Sequence, residues 1–182
     1  MQFEVSQQEL AKAKVPHELF LTNLVGNHIL WFVASLGIAN SFWQPIAMVP
    51  VVSLLILGYT VFRARRELKK GESWFVMCHW QLAARRSRAL MLVMSLLLLI
   101  SLLGWVGYSY LGMMEVAVYA LIGGVGLLPM LVSILVLIVM EMDAMHLAAQ
   151  GKLTKGVVER FPNAQAVVIP EVETAVSEAE AG

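Results

Sequence analysis

Only one cysteine, Cys78, occurs in 182 residues, which excludes an intramolecular disulfide and any metal site built from several thiolates. Charge is scarce too. Asp, Glu, Lys and Arg make up 14% of the chain, against about 25% in an average soluble domain. The scarcity is local: the stretches 24–42, 45–62, 90–111 and 117–140 carry none of these residues, and Glu115 is the only acid between the last two. Basic residues are missing over longer distances still, with no Lys or Arg from 15 to 62 or from 89 to 151. Zinc-hydrolase spacing (HExxH) and paired ExxH iron sites are also absent.

What is present is apolar. Hydrophobic residues form 59% of the chain and the mean hydropathy is +0.73. A water-soluble helix needs one polar face, and the run LMLVMSLLLLISLL at 90–103 has none. Each charge-free stretch is close to the ~20 residues that a helix needs to cross ~30 Å of hydrocarbon. The expected fold is therefore all-α, a polytopic membrane protein with a four-transmembrane-helix bundle over residues 16–162. The helices are placed at about 17–42, 45–70, 73–111 and 117–148, with helical extensions beyond the membrane.

Local signals punctuate this plan. Ser6 and Glu9 have the spacing of a capping box, so residues 1–15 are read as an amphipathic helix of their own, ending before Pro16. Pro16 and Pro45 suit first turns of membrane helices. Gly71 and Gly151 read as helix stops, and Ser73 as the cap of the third helix. Trp74, Phe75 and Trp80 read as an aromatic belt along the interface, with Trp43, Trp105, Tyr108 and Tyr110 on the opposite side. Gly123, Gly124, Gly126 and Pro129 mark a kink or close-packing point in the fourth helix. Residues 163–182 lack aromatics and periodicity, and are read as a disordered acidic tail.

All thirteen Lys and Arg residues fall before the first stretch, between the second and third, or after the fourth. Such residues stay on the cytoplasmic side. The expected topology has both termini cytoplasmic and two short hairpins outside. No cleavable signal or organelle presequence is expected, which suits a bacterial inner membrane. Segment 63–88 holds eight basic residues against Glu67 and Glu72. Arg63, Arg65, Arg66, Lys69, Lys70, Arg85, Arg86 and Arg88 are thus candidate contacts for anionic lipid headgroups or for another protein. Nucleic acid is not expected as a partner, because the aromatics interleaved there belong to the membrane.

Chemistry is sparse. His28 is the deepest histidine, and an intramembrane ionisable group wants a partner. Asp143 and His146, three apart on one helix face, complete a candidate metal or proton site with His28, to which Glu141, His79 or Cys78 would add. A haem held between His28 and His146 would need the two at matching depth. No cofactor is predicted and no catalytic residue is assigned. The leading expectation is a non-catalytic subunit or accessory protein of a larger membrane complex, associating with other subunits or itself. The alternatives are a small homo-oligomeric transporter or channel using His28 and Asp143/His146, and a metal- or haem-binding redox component.

Overall fold

The computed structural model describes residues 1–42, 44–70 and 73–169. The expectations for Trp43 and Gly71, and for the tail from residue 170 onward, fall outside the described residues. Four helices dominate, each long and apolar enough to cross a membrane. Helix α1 spans Gln7–Leu36, α2 Gln44–Lys70, α3 Trp74–Leu111 and α4 Glu115–Ala149. A short helix, α5, follows at Lys155–Arg160, and strands β1 (Gln2–Phe3) and β2 (Val168–Ile169) pair antiparallel at one end. The chain is an all-α four-helix bundle, as the length of its apolar runs predicts.

The helix starts are built as the sequence predicts. The Ser6 hydroxyl accepts from the Glu9 amide, while the Glu9 carboxylate accepts from the Ser6 amide at 2.9 Å. Ser73 caps α3 by accepting from Val76, and donates to Glu9 at 2.7 Å. One carboxylate therefore serves the starts of α1 and α3. At the other end of α3, Gly112 adopts φ +66°, the left-handed stop that glycine takes without strain.

The expected break at Pro16 is not found. Helix α1 runs straight through it. Proline removes a bond to the carbonyl four residues earlier, here that of Lys12, which lies on the exposed side. Meanwhile Pro16, His17 and Phe20 are held in the interior. The amphipathic N-terminal helix and the first membrane helix are one rod. Two stretches of wider π-helical turns interrupt the α-helices, at Thr22–Trp31 in α1 and Leu121–Leu127 in α4. The second is the glycine-rich LIGGVGL, where missing side chains relieve crowding. Of its glycines only Gly126 packs closely, with Leu97 and Ile100 of α3 opposite; Gly123 and Gly124 face open space. Gly104 of α3 receives Val118 and Ile122 of α4 in the same way.

Helix α3 is central. The first half of α1 packs mainly on α3 and α4 and also touches α2, its 22–31 turns meet α2 and α4, and its last turn meets α2 alone. Among the described residues α2 and α4 do not meet. Two apolar cores result. One lies in the charge-free part and includes Phe20, Leu24, Leu57, Leu90, Ile134 and Leu137. The other lies at the basic end and includes Phe3, Ala64, Phe75, Cys78, Trp80 and Leu153.

That second core corrects the aromatic belt. Phe75 and Trp80 are buried, Trp74 donates to the Phe161 carbonyl at 2.7 Å, and Phe3 packs edge-on against Trp74. The chain returning through 151–169 covers Trp74, while Trp80 packs against Tyr59 and Arg63 of α2, so these rings face protein. The same return orders the start of the predicted tail, because Phe3 and Val168 pair within the small sheet.

Candidate functional site: a buried ionic layer beside an apolar cavity

Between the two cores lies a polar layer assembled from three helices. Glu141 of α4 and His17 of α1 are both fully buried. His17 donates through Nδ1 to Glu141 Oε2 at 2.5 Å. Arg86 of α3 donates through Nη1 to Glu141 Oε1 at 3.0 Å and to the Met140 carbonyl at 2.9 Å. The second nitrogen of His17, Nε2, meets Nδ1 of His79 at 2.9 Å, and Phe75 lies edge-on to that imidazole. Burying a carboxylate is costly unless it is paired and hydrogen-bonded, and Glu141 has a cation on one oxygen and an imidazole N–H on the other. His79 Nε2, Arg86 Nε and Ser87 Oγ are buried without hydrogen-bond partners among the described residues. The contacts run Arg86–Glu141–His17–His79.

A second polar group sits deeper. Helix α1 is charge-free from Leu19 to Leu36, and His28 lies midway along that run. Its Nε2 meets Ser53 Oγ at 2.8 Å. Asn23 donates to the same hydroxyl at 3.0 Å, while Asn27 donates to Asn23 and to the Val49 carbonyl. The wide turns of α1 place Asn23, Asn27 and His28 all on the inward side. Beside them is a cavity of about 300 Å³ lined by His28, Phe32, Val49, Leu97, Met130 and Ile134, among others. All four helices contribute to it.

The residues proposed from sequence to act together do not meet. His28 is paired with Ser53, whereas Asp143 and His146 are exposed on the outer face of α4, and His146 is hydrogen-bonded to Gln150 of its own helix at 2.7 Å. Ile134 lines the cavity beside His28, and Asp143 is nine residues further on, about 13 Å along α4. Depth and face both separate them. Among the described residues no group of three His, Cys, Asp or Glu is arranged to hold a metal ion. No family model, curated protein or solved structure matches the chain.

The basic segment divides into two roles. Arg86 turns inward to Glu141, and Arg63 pairs with Glu67 at 2.7 Å with its guanidinium over Trp80. Arg65, Arg66, Lys69, Arg85 and Arg88 face outward, while Lys70 is the last residue of α2. Arg85 and Arg88 share a shallow groove with Gln81 and Arg160 of α5. The ionic layer is what the sequence reading missed, since His17, His79, Arg86 and Glu141 lie in three segments far apart in the chain. A faint signal exists in the small residues beside each of them. Ala144 and Ala148 follow Glu141 on one face, Ala83 and Ser87 flank Arg86, and Ala13 precedes His17; all five are buried. Close backbone approach around a lone charge points to a buried pair.

Proposed function

We propose that this chain is a small integral subunit or accessory protein of a larger membrane assembly, in a bacterial inner membrane with both ends cytoplasmic. The observation that carries this reading is the closure of the ionic layer. His17 and Glu141 are inaccessible and satisfied by one another and by Arg86, so they clamp α1, α3 and α4 together. A clamp of this kind makes a rigid frame. What the frame offers its surroundings is apolar helix surface, such as Leu92, Leu98, Val139 and Phe62, and one basic end. The apolar faces suit lipid or partner helices. The groove with Arg85, Arg88 and Arg160 suits an anionic headgroup or an acidic segment of a partner. The orientation rests on all cations lying at one end of the bundle.

Two experiments test it. Gentle solubilisation followed by native mass spectrometry is expected to show a stoichiometric partner or a defined oligomer; a lone monodisperse monomer counts against the reading. Single cysteines placed at Arg65, Lys155 and Met113 in a Cys78→Ala background are expected to label from the cytoplasm for the first two and from outside for the third. Solute flux through proteoliposomes that His28→Ala abolishes without loss of folding would favour a transporter instead.

A further inference from the structure

We infer that the groove between α3 and α5 is a selective site for the phosphate of an anionic glycerophospholipid, whose acyl chains lie along one face of α3. This deepens the reading of the basic end given above and rests on it. The first argument is charge. Arg85 and Arg88 line the groove from α3 and Arg160 from α5, and no Asp or Glu lines it. Among the described residues none of these three pairs with a carboxylate; the arginines that do are Arg63 and Arg86. Three like charges in one groove repel one another, so the site gains from an anion and rejects a headgroup that carries an ammonium.

The second argument is construction. Helix α5 is held in place by the Trp74 bond to the Phe161 carbonyl at 2.7 Å and by Val157 and Phe161, which pack on the core at the basic end. The Arg160 guanidinium lies over the Phe161 ring. Arg88 is tethered through Nε to the Ala84 carbonyl at 3.3 Å, and its two Nη groups have no acceptor among the described residues. A planar guanidinium with free N–H groups matches paired phosphate oxygens. The groove has a volume of about 40 Å³, room for about three water-sized atoms. That admits the oxygens of one phosphate and excludes anything as thick as a peptide strand.

The third argument is position, and it decides between a lipid and an acidic segment of a protein. Arg88 is the last charged residue of α3, since 89–111 contain none, so the groove lies where headgroups give way to hydrocarbon. Leu92 is one turn beyond Arg88, about 6 Å along the axis. Leu92, Leu96, Leu99 and Leu103 follow Arg85 at seven, eleven, fourteen and eighteen residues, all within about 40° of it around the helix. All four are exposed. An acidic peptide meets the groove but not this stripe. A phospholipid meets both.

The test titrates the full chain in mild detergent with dioleoyl phosphatidylglycerol and reads bound lipid by native mass spectrometry. One saturable lipid is expected, with phosphatidylcholine of the same chains weaker by about tenfold or more. Arg85→Gln, Arg88→Gln and Arg160→Gln are each expected to weaken binding about fivefold. All three side chains are exposed, so the variants are expected to keep the parent's thermal midpoint. Gly156 lines the groove, and a methyl group added there meets nothing within 4 Å. Gly156→Leu therefore keeps every charge, fills the space and is expected to abolish the preference for phosphatidylglycerol. Arg65→Gln with Arg66→Gln, two outward cations of α2, is expected to change it less than twofold, because only a diffuse basic surface would respond. The inference is overturned if that pair weakens binding as much as Arg85→Gln with Arg160→Gln, or if Gly156→Leu leaves the preference intact. It is equally overturned if glycerol phosphate or a hexaglutamate peptide displaces the lipid at equal concentration. A chain without a protein partner would sink the subunit reading and leave these outcomes unchanged, whereas lost lipid selectivity sinks this inference alone.

Discussion

Replacing Glu141 by alanine is the sharpest perturbation of the bundle. Glu141 is fully buried and accepts from two donors, one of them a guanidinium. Its removal leaves the Arg86 guanidinium, whose side chain is 11% exposed, without its carboxylate. Breaking a buried pair in this way costs about 3–5 kcal/mol, more than the net worth of the pair, because the remaining charge stays desolvated. For a chain of this size, that lowers the midpoint of thermal unfolding by roughly 6–20 °C. Glu141→Gln keeps the volume and one acceptor oxygen, and falls in between. Deleting both charges, as in Glu141→Leu with Arg86→Met, is expected to cost less than the sum of the single changes, with a coupling of about 1.5 kcal/mol or more. The assay is unfolding in a mild detergent, followed by circular dichroism at several heating rates. A midpoint for Glu141→Ala within about 2 °C of the parent would refute the reasoning, since it would mean that water already reaches the layer. Strict additivity of the two single changes would refute the pairing itself.

Gly112 and Gly151 have nearly the same φ, +66° and +68°, but different surroundings. Gly112→Ala is expected to cost about 1 kcal/mol from backbone strain alone, whereas Gly151→Ala adds contact with the Phe3 carbonyl, 3.1 Å from the new methyl group, and is expected to cost clearly more in the same unfolding assay. Gly126→Leu drives its side chain onto Leu97, whose Cδ1 would be 2.6 Å from the new Cβ; the expected loss is about 1–3 kcal/mol, and a neutral result would show that α3 and α4 part freely there. Cys78 is fully buried, so a membrane-permeant maleimide is expected to leave it unmodified until the protein unfolds, and rapid labelling of the native form would show that the core at the basic end is open. Trp74→Phe removes the bond to the Phe161 carbonyl and is expected to cost about 1 kcal/mol, measured as loss of protection of 161–169 from proteolysis.

The membrane-length helices and the helix caps were legible in the sequence because each is written in consecutive residues. LMLVMSLLLLISLL can only be a rod in lipid, and Ser6 with Glu9 states its own geometry. What was not legible depends on contacts between distant segments. The partner of Glu141 is 124 residues away, and depth alone pointed to His28 rather than to His17. Pro16 looked like a boundary because the local rule for proline is strong, but the contacts of His17 and Phe20 outweigh it. Trp74, Phe75 and Trp80 have the composition of an interfacial belt, and contacts with distant segments, Phe161 for Trp74 and α2 for Trp80, turn them into a core. The first strand, two residues long, has no periodicity to detect.

The seat of the opening residues is made from the closing ones. The Phe3 amide donates to the Gly151 carbonyl at 2.9 Å, and Glu4 to that of Val167 at 3.1 Å. During synthesis the segment ahead of α1 emerges long before those carbonyls exist, so its amides are bonded to water until the fourth helix is made. Latching of Phe3 therefore follows the fourth helix in time and ties residues 2–4 to residues 151–169. Until then the phenyl ring of Phe3 and the indole of Trp74 lack the cover they give each other.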